Sequence, residues 1–325
     1  MIKKYFRRDA NVLVDADSYI IKDLDKYFNY YFDNEFVHYV GSDIWYVMLR
    51  DREDSYIQME LKKIIIKQFS EPDVQIFFDG DKKKIGLIKE NTYEWQFQNL
   101  QRIVRILLRL QCQEMGDIFL HGGCISYEGK GICFLGDKKS GKTSSILSFL
   151  KNKESAFISN DDVSIHKGEN NWYAEGWPRS VVIRSDTWEK LGLENNNLIH
   201  PLNSTKEVIC LYPQQIGELF GKKNATGNLI DYVVFPQFTD DKIPQIIHID
   251  REEAKKRVRE NVLYNPGKYN EYLLPYFEKS KGEMTNEFLQ GITFLELRQN
   301  FDNLEEATNI LSKLIDKEIK NAEFN

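Results

Sequence analysis

The sequence predicts an α/β protein: a mixed β-sheet built around a phosphate-binding loop, with an α+β accessory domain ahead of it. Three observations carry that prediction. Gly136-Asp137-Lys138-Lys139-Ser140-Gly141-Lys142-Thr143 matches G-x-x-x-x-G-K-[ST] in full. The strand that feeds this loop is itself entered through a tight hairpin at Glu128-Gly129-Lys130-Gly131, so one of its neighbours runs antiparallel to it. Residues 9 to about 90 read as short strands without a chemical motif, and one long helix over 93–115 follows them. The domain boundary is therefore placed near 92, giving an accessory domain over 1–92 and a catalytic domain over 93–325.

The loop motif needs a strand before it and a helix after it. Gly131 to Leu135 (GICFL) is a short apolar run of strand character, and Thr143 to Leu150 puts Ile146, Leu147 and Leu150 on one helical face. Glycines let the backbone wrap an anion, and amides at a helix start add the favourable end of the helix dipole. Residues Gly136 to Ser144 are thus candidate nucleotide-binding positions. Lys142 would reach the β- and γ-phosphates, and the Thr143 hydroxyl would ligate Mg²⁺. About twenty residues on, Ile158-Ser159-Asn160-Asp161-Asp162-Val163 ends an apolar run in paired acids, which suits a metal ligand beside a general base. Fifteen residues before the loop stands Leu120-His121-Gly122-Gly123.

In the first domain, strands are expected at Asn11–Val14, Phe36–Tyr39, Trp45–Leu49, Tyr56–Glu60, Val74–Phe78 and Lys84–Ile88, while Lys62–Lys67 fits strand or helix. The long helix places Phe97, Leu100, Val104, Leu107 and Leu108 on one face and Arg102, Arg105 and Arg109 on another, which reads as a solvated stripe. After the acids, strands are expected at Val163–His166, Trp172–Glu175, Ser180–Arg184, Val208–Tyr212, Asp231–Phe235, Gln245–Ile249 and Ile292–Leu297. Asp250 and Glu253 open a helix running toward Tyr264, and Asn303 with Glu306 opens a last helix to about Lys320. Residues 265–270 read as a polar loop beside the site.

Bulk properties narrow the function classes. The 325 residues are 42% hydrophobic and 29% charged, enough to bury a sizeable core. A formal net charge of −6 argues against a nonspecific grip on nucleic acid. The four cysteines, Cys112, Cys124, Cys133 and Cys210, show no C-x-x-C spacing, so a reduced cytoplasmic setting without a zinc site is expected. No stretch approaches the roughly 20 apolar residues of a membrane span, and the N-terminus lacks the apolar core of a signal peptide.

Taken together, LHGG, EGKG, GDKKSGKT and SNDD stand in the order and spacing of the HPr kinase/phosphorylase family. The block from about 117 to 185 resembles that family, which shares its catalytic core with phosphoenolpyruvate carboxykinases. The resemblance implies an ATP- and Mg²⁺-dependent kinase core of that type. It implies Asp161 as general base, Asp162 with Thr143 as metal ligands, and His121 paired with Asp161. An Arg-bearing strand near this point in the family makes Arg184, or Arg179, a phosphate or transition-state contact. Two departures matter. Ser144 stands where the family usually carries an acid, and the downstream Glu-Val-Arg-Gly-Leu-Gly signature is absent. HPr and phosphorolysis are therefore not the expected substrate and activity. The nearer likeness is to divergent kinases of peptide-maturation clusters, which implies a Ser or Thr hydroxyl of a peptide or protein, such as a ribosomal precursor peptide, as acceptor. The family also admits pyrophosphate as donor and a homo-oligomeric assembly. The residues leave two other readings open: a small-molecule kinase acting on a sugar, amino acid or nucleoside, and a nucleotide-binding regulatory protein without transfer; P-loop hydrolysis coupled to motion is less favoured, because no run of four apolar residues ending in Asp-Glu is present.

Overall fold

The computed structural model describes residues 1–38, 41, 43–67, 71–89, 92–169, 171–193, 207–264, 268–278, 287–288 and 290–323. The chain forms two compact units, Met1–Asp117 with Tyr264–Gly282, and Ile118–Leu263 with Glu283–Asn325. Both are mixed α/β.

The first unit contains β1 (Ile2–Arg7), β2 (Ala10–Asp15), α1 (Ser18–Phe28), β3 (Asp33–Phe36), β4 (Trp45–Arg50), α2 (Asp54–Gln58), β5 (Lys62–Ile66), β6 (Val74–Asp79), β7 (Lys84–Ile88) and α3 (Tyr93–Glu114). Its seven strands lie in the order β3-β1-β2-β4-β7-β6-β5. The long helix α3 packs on β2 and β4 of this sheet. The compact unit therefore runs to residue 117 and takes α3 with it, rather than ending near 92. Burial is the physical reason: Phe97, Leu100, Val104, Leu107 and Leu108 are all nearly inaccessible. The arginine stripe of α3 is not a solvated face either. Arg102 pairs with Glu71 at 2.8 Å, Arg105 reaches the Tyr27 hydroxyl at 3.4 Å, and Arg109 is buried.

Two strand expectations in this unit fail for local reasons. Tyr56 to Glu60 is not a strand; Tyr56 lies in the short helix α2 and plugs the sheet, its hydroxyl donating to the carbonyls of Met48 and Leu87 at 3.0 and 2.8 Å. Gly86 of β7 makes room for that ring, since a Cβ there would sit 2.6 Å from it. The strand expected over Phe36–Tyr39 ends at Phe36, and Tyr39 lies outside the described residues. Segment Tyr264–Gly282 joins the unit through aromatic packing: Phe277 stacks on Trp45 at 5.4 Å, and Tyr276 meets Phe78 edge-on at 5.3 Å.

The second unit contains β8 (Ile118–Leu120), β9 (Gly122–Tyr127), β10 (Lys130–Leu135), α4 (Lys142–Asn152), β11 (Ser155–Ser159), β12 (Val163–Lys167), β13 (Trp172–Gly176), β14 (Val181–Arg184), α5 (Ser185–Lys190), β15 (Val208–Leu211), α6 (Pro213–Phe220), β16 (Gly227–Phe238), β17 (Gln245–His248), α7 (Arg251–Glu260), β18 (Thr293–Gln299) and α8 (Leu304–Glu323). The main sheet runs β11-β9-β10-β16-β13-β12-β8, with β18 beside β16 and β17 beside β18. Strand β10 is antiparallel to β9 and parallel to β16, and β16 is parallel to β18. The mixed sheet read from the hairpin is therefore present. Its two-residue turn puts Glu128 and Gly129 at φ 49° and 75°, the geometry that suits a tight hairpin.

One face of this sheet packs on α4 and α8, with Ile146, Leu147, Leu150, Leu311 and Ile315 in its core. The other carries Cys124, Cys133, Ile158, Ala254 and Val258. Helix α7 opens on Asp250, whose carboxylate accepts the Glu252 and Glu253 amides at 3.0 Å each. It stops at Glu260, short of the expected Tyr264, because the next residues leave the helix to bridge β8. Helix α8 starts at Leu304 as expected, but the Asn303 side chain serves the preceding 3₁₀ turn Phe301–Asn303, which is capped by Asn300.

Candidate active site

Parallel strands β10, β16 and β18 end together beside the start of α4, and the site grows from those ends. Leaving β10, the chain turns through Gly136 (φ 142°), Lys139 (φ 70°) and Gly141 (φ 108°) before α4 begins at Lys142. Such a succession of left-handed residues curls a loop so that its amides can converge on an anion. A side chain at Gly141 would also strike the Gln299 amide at 2.8 Å. Lys142 is buried, and its ammonium donates to the carbonyls of Gly136 and Asp137 at 2.7 and 2.8 Å. Burial pulls its pKa below the usual lysine range, against the opposing charges of Asp161 and Asp137.

Across the cavity the acids follow β11. Asp161 lies between β11 and β12 at φ 68°, a conformation costly for a residue with a side chain. Its neighbour Asn160 is 2% exposed and accepts a hydrogen bond from the Thr143 hydroxyl at 3.1 Å. Gly123 explains how this backbone comes so near β9: a Cβ there would sit 2.8 Å from the Ser159 carbonyl.

The expected residues do not all converge. His121, Lys138, Lys139, Ser140, Gly141, Lys142, Thr143, Ser144, Asp161, Arg179 and Arg184 line one open cavity of about 860 Å³. Gly136 and Asp137 face a separate hollow on the α7 side of the loop. Asp162 is buried and outside the main cavity lining, and its carboxylate accepts from Arg179 at 3.0 Å. His121 does not meet the Asp161 carboxylate; its Nδ1 lies 3.2 Å from the Asp161 backbone carbonyl. Arg184 is more than half exposed and holds Asp186 at 3.3 Å. The Ser144 hydroxyl lies 3.5 Å from that of Thr187.

Sequence reasoning missed Asn261. Its side-chain oxygen accepts the Gly136 amide at 3.1 Å, and its backbone carbonyl accepts the His121 amide at 2.7 Å. Leu263 continues the link by donating to Phe119 at 2.7 Å. One residue thus ties the entrance of the loop to the strand end bearing His121. Nothing local signals this; Asn261 looks like the end of a polar helix in a chain position 125 residues beyond Gly136.

The cavity brings together five lysines or arginines and two aspartates in a chain of net charge −6. Polyanions are the ligands such a field attracts. The loop also carries an unmet hydrogen-bonding group that a phosphate could satisfy: the hydroxyl of Ser140, a cavity-lining residue, is buried without a hydrogen-bond partner. Among the described residues no cluster of three or more His, Cys, Asp or Glu forms a ready-made metal cage. Magnesium is commonly held by one or two side chains together with phosphates, so Thr143 remains suited to it. No described helix is long and apolar enough to cross a membrane.

No family model matches the chain, and no curated protein matches it. Among solved structures, the Hpr(Ser) kinase/phosphatase from Coxiella burnetii aligns with 62% of this chain and 98% of its own, at 10% identity and a TM-score of 0.32. A likeness at that level assigns neither an activity nor site residues.

Proposed function

We propose that the chain is an ATP- and Mg²⁺-dependent kinase that transfers the γ-phosphate to a Ser or Thr hydroxyl of a peptide or protein. The observation that carries this reading is the single cavity in which the curled loop, Lys142, Thr143 and the constrained Asp161 meet. Phosphoryl transfer asks a protein mainly for positioning and charge neutralisation. The loop amides and Lys142 hold the donor's phosphates, which gives the buried ammonium a counter-charge stronger than two carbonyls. Asp161 accepts the proton of the attacking hydroxyl as the new phosphorus–oxygen bond forms and the bridging bond to ADP breaks. His121 fixes the Asp161 backbone from below through its carbonyl. Arg184 and Arg179, which line the same cavity, would supply positive charge where negative charge develops on the transferred group. Magnesium, when bound, neutralises charge on the β- and γ-phosphates, and Thr143 would hold it. Asp162 would first have to release Arg179. The peptide acceptor rests on the likeness to divergent kinases of peptide-maturation clusters, drawn from Ser144 in place of the family's acid and from the absent Glu-Val-Arg-Gly-Leu-Gly signature.

The test is transfer itself. The protein, Mg²⁺ and γ-labelled ATP are mixed with the peptides encoded beside its gene. Label on a peptide Ser or Thr is the expected result. Label released only as inorganic phosphate, or no turnover across those peptides, counts against a peptide kinase.

A further inference from the structure

Parallel β10, β16 and β18 end at Leu135, Phe238 and Gln299, and the crevice beyond the carboxyl ends of such strands is where α/β proteins take ligands. At that crevice stand two aromatic rings that phosphate binding does not use. Phe238 is the last residue of β16 and Phe301 the first of the 3₁₀ turn after β18. Their ring centres are 4.6 Å apart with planes 34° from parallel. Both are only half-buried, and both line the same cavity as the loop. Phe238 reaches the loop itself, lying 3.3 Å from where a Cβ on Gly141 would be. The position of Phe301 is fixed by its turn: the Asn300 side chain accepts the Asp302 and Asn303 amides at 2.9 and 3.0 Å. Val182 and Val208 extend the apolar side of the cavity, and Val182 is 40% exposed.

A half-exposed aromatic pair beside the cationic part of the cavity has no use for a phosphate chain. It suits a flat, polarisable group joined to one, because aromatic faces stack on every nucleobase. We propose that Phe238 and Phe301 form the platform on which the donor's nucleobase stacks, so that the donor is a nucleoside triphosphate and not pyrophosphate. The inference rests on the kinase reading above and assigns the part of the cavity which that reading leaves unassigned. The platform is in place before binding, since one ring ends a sheet strand and the other sits on a capped turn. Little ordering is then required when the base arrives.

Calorimetry with Mg²⁺ separates the two halves of the site by comparing ATP with inorganic tripolyphosphate, which has the phosphates without the base. Phe301→Ala is expected to weaken ATP about tenfold, the usual worth of one base–aromatic stack. Tripolyphosphate is expected to bind it as it binds wild type. Phe301→Leu, which keeps apolar volume against the core without an aromatic face, should lose ATP affinity similarly, and Phe301→Trp should retain it. Unchanged ATP affinity in both the Ala and Leu variants overturns the platform, as does an equal loss for ATP and tripolyphosphate. Wild type binding the two ligands equally tightly also overturns it, while leaving the phosphate site standing. Wild type binding neither removes the kinase reading, and the platform with it.

Discussion

Asp161 holds a backbone φ of 68° although it carries a side chain. Asparagine tolerates this left-handed conformation as readily as aspartate does, so Asp161→Asn removes the charge while keeping the backbone. That makes it the cleanest single change in the cavity. Glu296 poses a different question at the same scale. Burial would raise its pKa, but the hydrogen bonds and charges of Arg257 and Arg298 outweigh burial and hold it below the usual glutamate value of 4.5. A carboxylate with a lowered folded pKa contributes its full stability above the unfolded value and loses it as pH falls through the folded one. Glu296→Gln should therefore melt below wild type at neutral pH, with the gap closing as pH drops under 4.5. Thermal melts across that range check it; a gap independent of pH would refute the ion-pair account.

Among the elements, the turn after α7 has the most consequence for the site. Arg257 anchors the helix to β18 through Glu296 at 2.7 Å, and Asn261 then holds Gly136 and the His121 strand end together. Asn261→Ala removes the acceptor of the part-buried Gly136 amide, a cost of about 0.5–1.5 kcal/mol for an ordinary hydrogen bond. We expect a lower melting temperature and ATP affinity reduced several-fold. Melting and calorimetry read the two effects separately. If Asn261→Ala binds ATP as wild type does, the turn does not position the loop. The elements of the second unit were well marked in the sequence, because strand, glycine loop and helix follow one another locally and the hairpin carries its own turn signal. The role of Asn261 was not, since it arises only when distant segments meet.

In the molecule as a whole, the same contrast separates what the sequence made legible from what it did not. The loop motif and the Asp161-Asp162 pair can be read as a unit, and His121, Lys142, Thr143, Asp161 and Arg184 do share a cavity. The division of labour between the acids could not be read, because it depends on Arg179, beyond the β12–β13 hairpin, holding Asp162. The unit boundary was misplaced because α3 is amphipathic enough to fit either neighbour, and its buried face chose the first sheet. The chain's return to that first unit at Tyr264–Gly282 left no compositional break, and residues 265–267 of the expected polar loop lie outside those described. The central claim is that Asp161 performs general-base chemistry in a preformed nucleotide site. The measurement that tests it most directly compares wild type and Asp161→Asn for ATP affinity and for phosphate transfer in the same buffer. The account predicts ATP affinity within a few-fold of wild type and transfer slowed by about 10²–10⁴-fold, the usual worth of acid–base help. Transfer at the wild-type rate in Asp161→Asn would contradict it.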